Sequence, residues 1–387
     1  MKTSILNIVV ASLAIGTVSS FAQRDARQIV PNENLSLKKE IERSISRGVK
    51  FLLSKQDENG MWGEKEFPAL TALPTTALLL DPNREEGEPV SKEARAGLEH
   101  LVKSVRLDGG IYGKGLGSYN TSLSMMAMLA SEDAKYQSII LRARKFLVNQ
   151  QSDYDKKGDP DNVFDGGVGY GSSYSHPDLS NTYFALEALA ATKSMIAEQP
   201  DEIDLDWEAA INFIQNCQHN PETNQEDWVS KDPKDKGGFV YFPGKSMSEE
   251  EIANSGKVLL RSYGSMSYAG LLSFIYADLK PDDPRVAACL NWLEKNFTVE
   301  ENPGMGQQGL YYYFHTMAKG LSVAGIDQIT TKDGKKIDWR VMLTKKFLNE
   351  QEQDGSWINE NGRWWEKDPV LVTSYAILSL ARIYEGL

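Results

Sequence analysis

The sequence predicts an all-α fold, an (α/α)6 toroid in which six outer helices surround six inner ones, and three observations support it. Helix-sized apolar stretches recur along the chain with Gly-rich aromatic loops between them, an internal period of tens of residues. The stretches alternate in charge: an amphipathic segment is followed each time by one that is almost free of Asp, Glu, Lys and Arg. A helix without charge must be enclosed on all sides. A closed ring encloses its second helices, whereas an open two-layer solenoid leaves a face of each layer in water.

Of the 387 residues, the first 22 have the pattern of a signal peptide: Lys2, an apolar run from Ile5 to Ile15, then Ser20-Phe21-Ala22 at a cleavable position. Residues 23–40 read as a flexible lead, and residues 41–387 as the toroid. The expected protein is exported, periplasmic or secreted, with no transmembrane segment after the signal. A formal charge of −12 argues against nucleic acid or an anionic membrane surface as a partner. It leaves a small apolar molecule open, since a cavity and a surface can differ.

The pairs follow in order. Leu37–Lys55 has Ile41, Ile45, Val49, Leu52 and Leu53 at helical spacing, and Ala69–Leu80 carries no charge. Amphipathic Ser91–Val105 precedes uncharged Tyr119–Ser131, and Tyr136–Gln151 precedes Leu179–Thr192, where Glu187 is the one charge. Asp206–Gln218 pairs with uncharged Ser262–Ala277 across an insertion from His219 to Arg261 that includes Ser248-Glu249-Glu250-Glu251. Pro284–Asn296 pairs with Tyr311–Ala324, which holds Lys319 and His315, and Asp338–Gln353 pairs with uncharged Val370–Ala381. Cys217 and Cys289 fall on the first helices of consecutive repeats and read as isolated buried thiols. A disulfide would need Cα atoms within ~7 Å, which sequence does not set.

The loops carry the markers Gly60-Met61-Trp62-Gly63, Gly109-Gly110-Ile111-Tyr112, Gly166-Gly167-Val168-Gly169-Tyr170, Gly237-Gly238-Phe239, Met305-Gly306-Gln307-Gln308-Gly309 and Gly355-Ser356-Trp357. Two are near copies, Gln56-x-x-x-Gly60-x-Trp62 and Gln351-x-x-x-Gly355-x-Trp357. Between alternating outer and inner helices, this motif resembles the repeats of the terpenoid cyclase and protein prenyltransferase superfamily, and most of all the squalene–hopene cyclases. The resemblance covers roughly residues 41–387 and implies that Gln and Trp tie one outer helix to the next, with Trp62 and Trp357 largely buried. Squalene cyclases have two α-helical barrel domains, and this chain has room for one.

The resemblance also implies where chemistry would sit. The cyclases open an inner helix with Asp-x-Asp-Asp-Thr, whose middle Asp protonates an alkene or epoxide. Here the third inner helix opens Asp178-Leu179-Ser180-Asn181-Thr182, with Ser180 at the proton donor's place. A hydroxyl cannot do that work, which needs a neutral, strongly acidic carboxyl group. Asp178-x-Ser180 also reads simply as a helix N-cap. An acid relocated to Asp178, His176 or His315 remains open. In the prenyltransferases, zinc is bound by Asp and Cys at one inner helix and His on the next. Tyr313-Phe314-His315 resembles the His stretch, but Ser262–Tyr268 offers neither Asp nor Cys. One ligand does not hold zinc, so neither a metal nor another cofactor is expected.

Aromatic residues cluster at inner-helix starts and their loops: Tyr170, Tyr174, Tyr183, Tyr263, Tyr268, Tyr311, Tyr312, Tyr313, Phe314 and Trp365. The resemblance implies a pocket lining, while packing of core and loop ends is the ordinary alternative. Tyr263, Tyr268, Tyr312 and His315 are expected to face one central mouth, together with the N–H donors of the helix starts. Three function classes remain: an apolar-ligand binder of terpenoid or polyprenyl type, a cyclase or isomerase with a relocated acid, and a polysaccharide lyase or sugar-binding toroid.

Overall fold

Helices alternate between two rings in the computed structural model, which describes residues 31–85, 87–171, 176–198, 202–248, 251–252, 258–331 and 334–387. The expected signal peptide and residues 23–30 of the expected lead lie outside these. The outer helices are α1 (Pro31–Lys55), α3 (Lys92–Lys103), α5 (Gln137–Val148), α7 (Trp207–Asn216), α9 (Pro284–Lys295) and α11 (Trp339–Glu350). The inner helices are α2 (Ala69–Leu79), α4 (Gly117–Ala130), α6 (Leu179–Ala191), α8 (Gly264–Tyr276), α10 (Leu310–Val323) and α12 (Pro369–Gly386). All six charge-poor segments are inner helices, and almost every residue of α8 is buried.

One boundary corrects the sequence reading. Helix α1 starts at Pro31, inside the segment expected to be flexible. Proline is well placed at a first helical position, because the N–H it lacks would have no partner there. The early turns of α1 are held at the far end of the chain: the Tyr384 hydroxyl donates to Glu42 at 2.9 Å, and the Lys38 ammonium lies 4.7 Å from the Tyr384 ring centre.

The inner ring closes. Each inner helix packs on the next, from α2 through α4, α6, α8 and α10 to α12, and α12 packs back on α2. Outer helices α3, α5 and α9 lean on the inner helix before them in sequence and α1 on α12, whereas α7 and α11 contact the inner helix that follows them, α8 and α12.

The loops explain the spacing. Gln56 Nε2 donates to Gly60 O at 3.0 Å and to Glu93 O at the start of α3 at 2.9 Å. Gln351 repeats this with Gly355 O and with Ser44 O on α1, both at 2.9 Å. Gln151 and Gln218 make the same double contact, although their glycines, Gly166 and Gly237, lie far along the chain. A loop N–H donates to a hydroxyl on the following inner helix in five repeats: Trp62 to Thr71, Ile111 to Thr121, Val168 to Thr182, Phe239 to Ser267 and Trp357 to Thr373. The loop glycine sits at positive φ, from 80° at Gly60 to 97° at Gly237, with its α-carbon against the backbone of the next outer helix, where no Cβ fits. Trp62 and Trp357 are 1% and 0% exposed, and their indole N–H groups donate to Leu52 O and Phe347 O at 2.8 Å.

The insertion between α7 and α8 is pinned by Asp235, whose carboxylate accepts from Arg261 (2.6 Å), Ser230 Oγ (2.7 Å) and Ser262 N (3.1 Å). Two short antiparallel hairpins, Glu251–Ile252 with Val258–Leu259 and Gln328–Thr330 with Lys336–Asp338, were not anticipated from sequence. Cys217 and Cys289 are free and buried.

Candidate functional site

Inner-helix starts gather at one end of the ring, and most of their N–H donors are already engaged. Asp178 caps α6, its carboxylate accepting from Asn181 N (2.9 Å) and Asn181 Nδ2 (2.8 Å). Asn302 Oδ1 accepts from Ser265 N at the start of α8, and Asn120 Oδ1 from Ala69 N at the start of α2. At α10 the cap comes from another repeat: Glu366 accepts from Tyr312 N (2.8 Å), Tyr311 N (3.3 Å) and Asn359 Nδ2 (2.6 Å). The expected convergence of helix N–H groups on a ligand is therefore not what organises this mouth; side-chain caps answer those donors first.

Phenols organise it instead. The Tyr312 hydroxyl meets Ser180 Oγ at 3.2 Å, joining α10 to α6 past α8. The Tyr119 and Tyr375 hydroxyls meet at 3.3 Å, joining α4 to α12 past α2. Tyr170 and Tyr241 share a hydrogen bond of 2.5 Å, and Tyr241 lies close enough to Asp178 to act on its carboxyl group. Rings continue around the axis, from Tyr119 to Phe184 (4.6 Å between centres), Phe184 to Tyr312 (6.2 Å), Tyr312 to Tyr375 (6.1 Å) and Tyr375 to His315 (5.2 Å). Deeper in the ring Lys319 Nζ on α10 holds both oxygens of Glu187 on α6, at 2.8 and 2.9 Å, under the Tyr183 ring.

Burial sets the protonation states. It pushes the Asp178 carboxyl up to about 6, against the opposing pull of the Asn181 hydrogen bonds and of Tyr241. Burial, reinforced by the Lys319 and Arg382 charges, drops His315 well below the ordinary histidine range, so the ring is neutral. The Tyr119, Tyr312 and Tyr375 phenols are raised by burial and stay protonated.

The sequence-predicted residues divide. Tyr170, Tyr183, Tyr263, Tyr312, His315 and Asp178 belong to the mouth or the axis below it, where Tyr263 lies close enough to Tyr312 and Asp178 to feel their charges. Tyr268 does not: it packs on Tyr313 between α8 and α10, its ring centre 5.7 Å from that of Tyr313. Tyr313 donates to Thr298 O, and Tyr311 donates to Glu350 and packs on Phe347 of α11. Phe314 also faces Phe347. His176 stacks on Phe242, 4.3 Å between ring centres, in the insertion. Trp365 stands at the rim against Phe67. Tyr174 lies outside the described residues. Tyr119, Phe184 and Tyr375 were missed, though each sits in a charge-poor segment. Tyr241 comes from the insertion, where no pattern marks it.

Such a mouth offers hydroxyl donors and acceptors, π faces and two buried carboxyl groups, Asp178 and Glu366, each committed to a helix cap. Ser180, at the start of α6, is hydrogen-bonded to the Tyr312 phenol. No protein-family model matches the chain, and no curated protein sequence matches it. Solved structures do. A variant of the type II terpene cyclase MstE from Scytonema, without ligand, aligns with a TM-score of 0.54 at 12% identity over 91% of this chain and 99% of its own. Another variant, holding its substrate geranylgeranyl dihydroxybenzoate, gives 0.53 at 12% identity over the same shares. The Candida albicans protein geranylgeranyltransferase-I complexed with GGPP gives 0.50 at 13% identity over 87% of this chain and 90% of its own. This chain has the α/α toroid fold of the terpenoid cyclase-like proteins, of which a type II terpene cyclase and a protein prenyltransferase are structural neighbours.

Proposed function

We propose that this protein is an exported toroid that binds an isoprenoid or similar apolar ligand at the inner-helix mouth and does not protonate it. One observation carries the reading: Ser180 stands in the frame of the proton donor and is hydrogen-bonded to Tyr312, while the neighbouring carboxyl group, Asp178, caps its own helix. Protonating an alkene requires an acid far stronger than a serine hydroxyl, held in a dry site. Phenol faces and the rings of Phe184 and Tyr375 suit an apolar chain. The prenyl groups held by the two structural neighbours make isoprenoids the first ligands to try.

The test incubates purified protein with labelled squalene, oxidosqualene and shorter linear terpenoids. Saturable retention without cyclic products by gas chromatography and mass detection is expected. A second reading, an acid relocated to Asp178, draws on its carboxyl group at about 6 and its contact with the Tyr241–Tyr170 pair. Turnover abolished in Asp178→Asn would install that reading and remove the first. Export is checked separately: the mature chain from its host should begin after Ala22, read by intact mass.

A further inference from the structure

The turn Gly362–Asp368 inverts the usual placing of residues. In Arg363-Trp364-Trp365-Glu366 the two indoles point outward, 45% and 47% exposed, and the carboxylate points inward, where it is 1% exposed and caps α10. Large apolar side chains outside and a carboxylate inside is the reverse of what burial favours. The backbone is strained to achieve it: Trp364 has φ 54° and Trp365 φ 66°, both in the left-handed region, consecutive and without glycine. Strain of this kind persists where surroundings hold it and clusters at ligand sites. Here Trp365 is held edge-on by Phe67, 4.9 Å between ring centres, and Trp364 is seated over Gly309, where an added Cβ would lie 3.0 Å from the indole.

Arg363 completes the arrangement. Its guanidinium lies 4.4 Å from the centre of the Trp364 ring, donates to Gln308 Oε1 and touches Met247 Sδ at 4.0 Å. None of these partners carries a charge, and among the described residues no carboxylate pairs with it. Two acids lie three residues away: Glu366 is tied to backbone and to Asn359, and exposed Glu360 makes no ion pair with Arg363. The Arg363 charge nevertheless reaches the Tyr263 phenol in the mouth. An arginine fork, prepositioned on an aromatic face and free of an internal acid, fits a planar carboxylate.

We infer that Arg363, Trp364 and Trp365 form an outer subsite that holds the carboxylate of an amphiphilic acid whose apolar body crosses the indoles into the phenol mouth. The inference rests on the mouth being a ligand site, and it narrows the ligand from neutral isoprenoids to isoprenoid acids. Farnesoic acid and methyl farnesoate are the probes, since they share a chain and differ in the charge. Calorimetric titration of the full mature protein should favour the acid by about tenfold or more, the scale of a charge-assisted hydrogen bond. Arg363→Gln should bring the acid's affinity down to that of the ester, and an unchanged urea-unfolding midpoint reports that the variant is folded. Arg363→Lys should restore part of the preference, and Trp365→Ala should weaken both probes. An equal affinity of the wild-type protein for acid and ester, or a preference that survives Arg363→Gln, overturns the subsite and leaves the mouth reading standing. If the wild-type protein retains neither probe, both readings fall.

Discussion

The junctions of the outer ring and the mouth of the inner ring are built on opposite rules. At the junctions one device recurs: a glycine at positive φ against the next outer helix, a loop N–H on an inner-helix hydroxyl and, in four repeats, a glutamine bridging the two. At the mouth the helix starts are capped in several different ways. One is capped by its own Asp178, one by Asn302 and one by Glu366 from the following repeat. The fifth loop lies between these worlds: it lacks the glutamine bridge, and Trp364 of the sixth loop packs on its Gly309. Repetition builds the wall, and departures from repetition build the site.

The largest test of that contrast sets one tryptophan against another. Trp357→Ala, in the wall, should destabilise by about 3–5 kcal/mol in urea unfolding. Trp365→Ala, at the rim, should stay within about 0.5 kcal/mol. Equal losses would erase the distinction between scaffold and site.

Asp178 gives the next largest effect. Burial pushes its folded carboxyl group up to about 6, above its ordinary 3.8, so the folded state binds the extra proton between those limits. The group's contribution to stability is full below about pH 4 and falls as pH rises through 6. Asn keeps the cap, so Asp178→Asn should gain on the wild-type protein by on the order of 3 kcal/mol between pH 4 and pH 7, measured by denaturation at each pH. A change of opposite sign would mean that the helix terminus, rather than burial, governs this carboxyl group.

Gln351→Ala is the smallest. Losing a half-buried two-way bridge costs about 1–3 kcal/mol, and the loss should be local. Amide exchange along α1 should quicken around Ser44 and Arg47, which Gln351 contacts, and remain slow in α6. Uniform quickening would argue that the wall is one cooperative unit and not a chain of similar joints.

Much of the wall is legible in the sequence because enclosure excludes charge, and that absence marks all six inner helices. Glu187 and Lys319 looked like isolated exceptions. They are partners 132 residues apart, a pairing that only the closed ring creates. The mouth was harder to read because successive residues on a helix turn by about 100°, so neighbours in sequence face different ways. Of Tyr311, Tyr312 and Tyr313, the middle one reaches Ser180 and Tyr375, while its neighbours face α11 and the Thr298 loop. Spacing could have found this face: Tyr312, His315 and Lys319 recur at three and four residues, as do Ser180, Phe184 and Glu187. The start of α1 was hidden by polar composition, and its anchors Glu42 and Lys38 find Tyr384 at the other end of the chain.

The junction between α11, α12 and α1 has a consequence for how the chain comes together in time. Ser44 and Gln351 are 307 positions apart, so this contact forms among the last. Until the final helices arrive, α2 lacks its neighbour α12 and shows water a charge-free surface that nothing earlier in the chain can cover. The unfinished ring is an aggregation hazard of the kind chaperones restrain. A chain halted before α11 should accumulate in their grip, while the sealed ring needs no such escort.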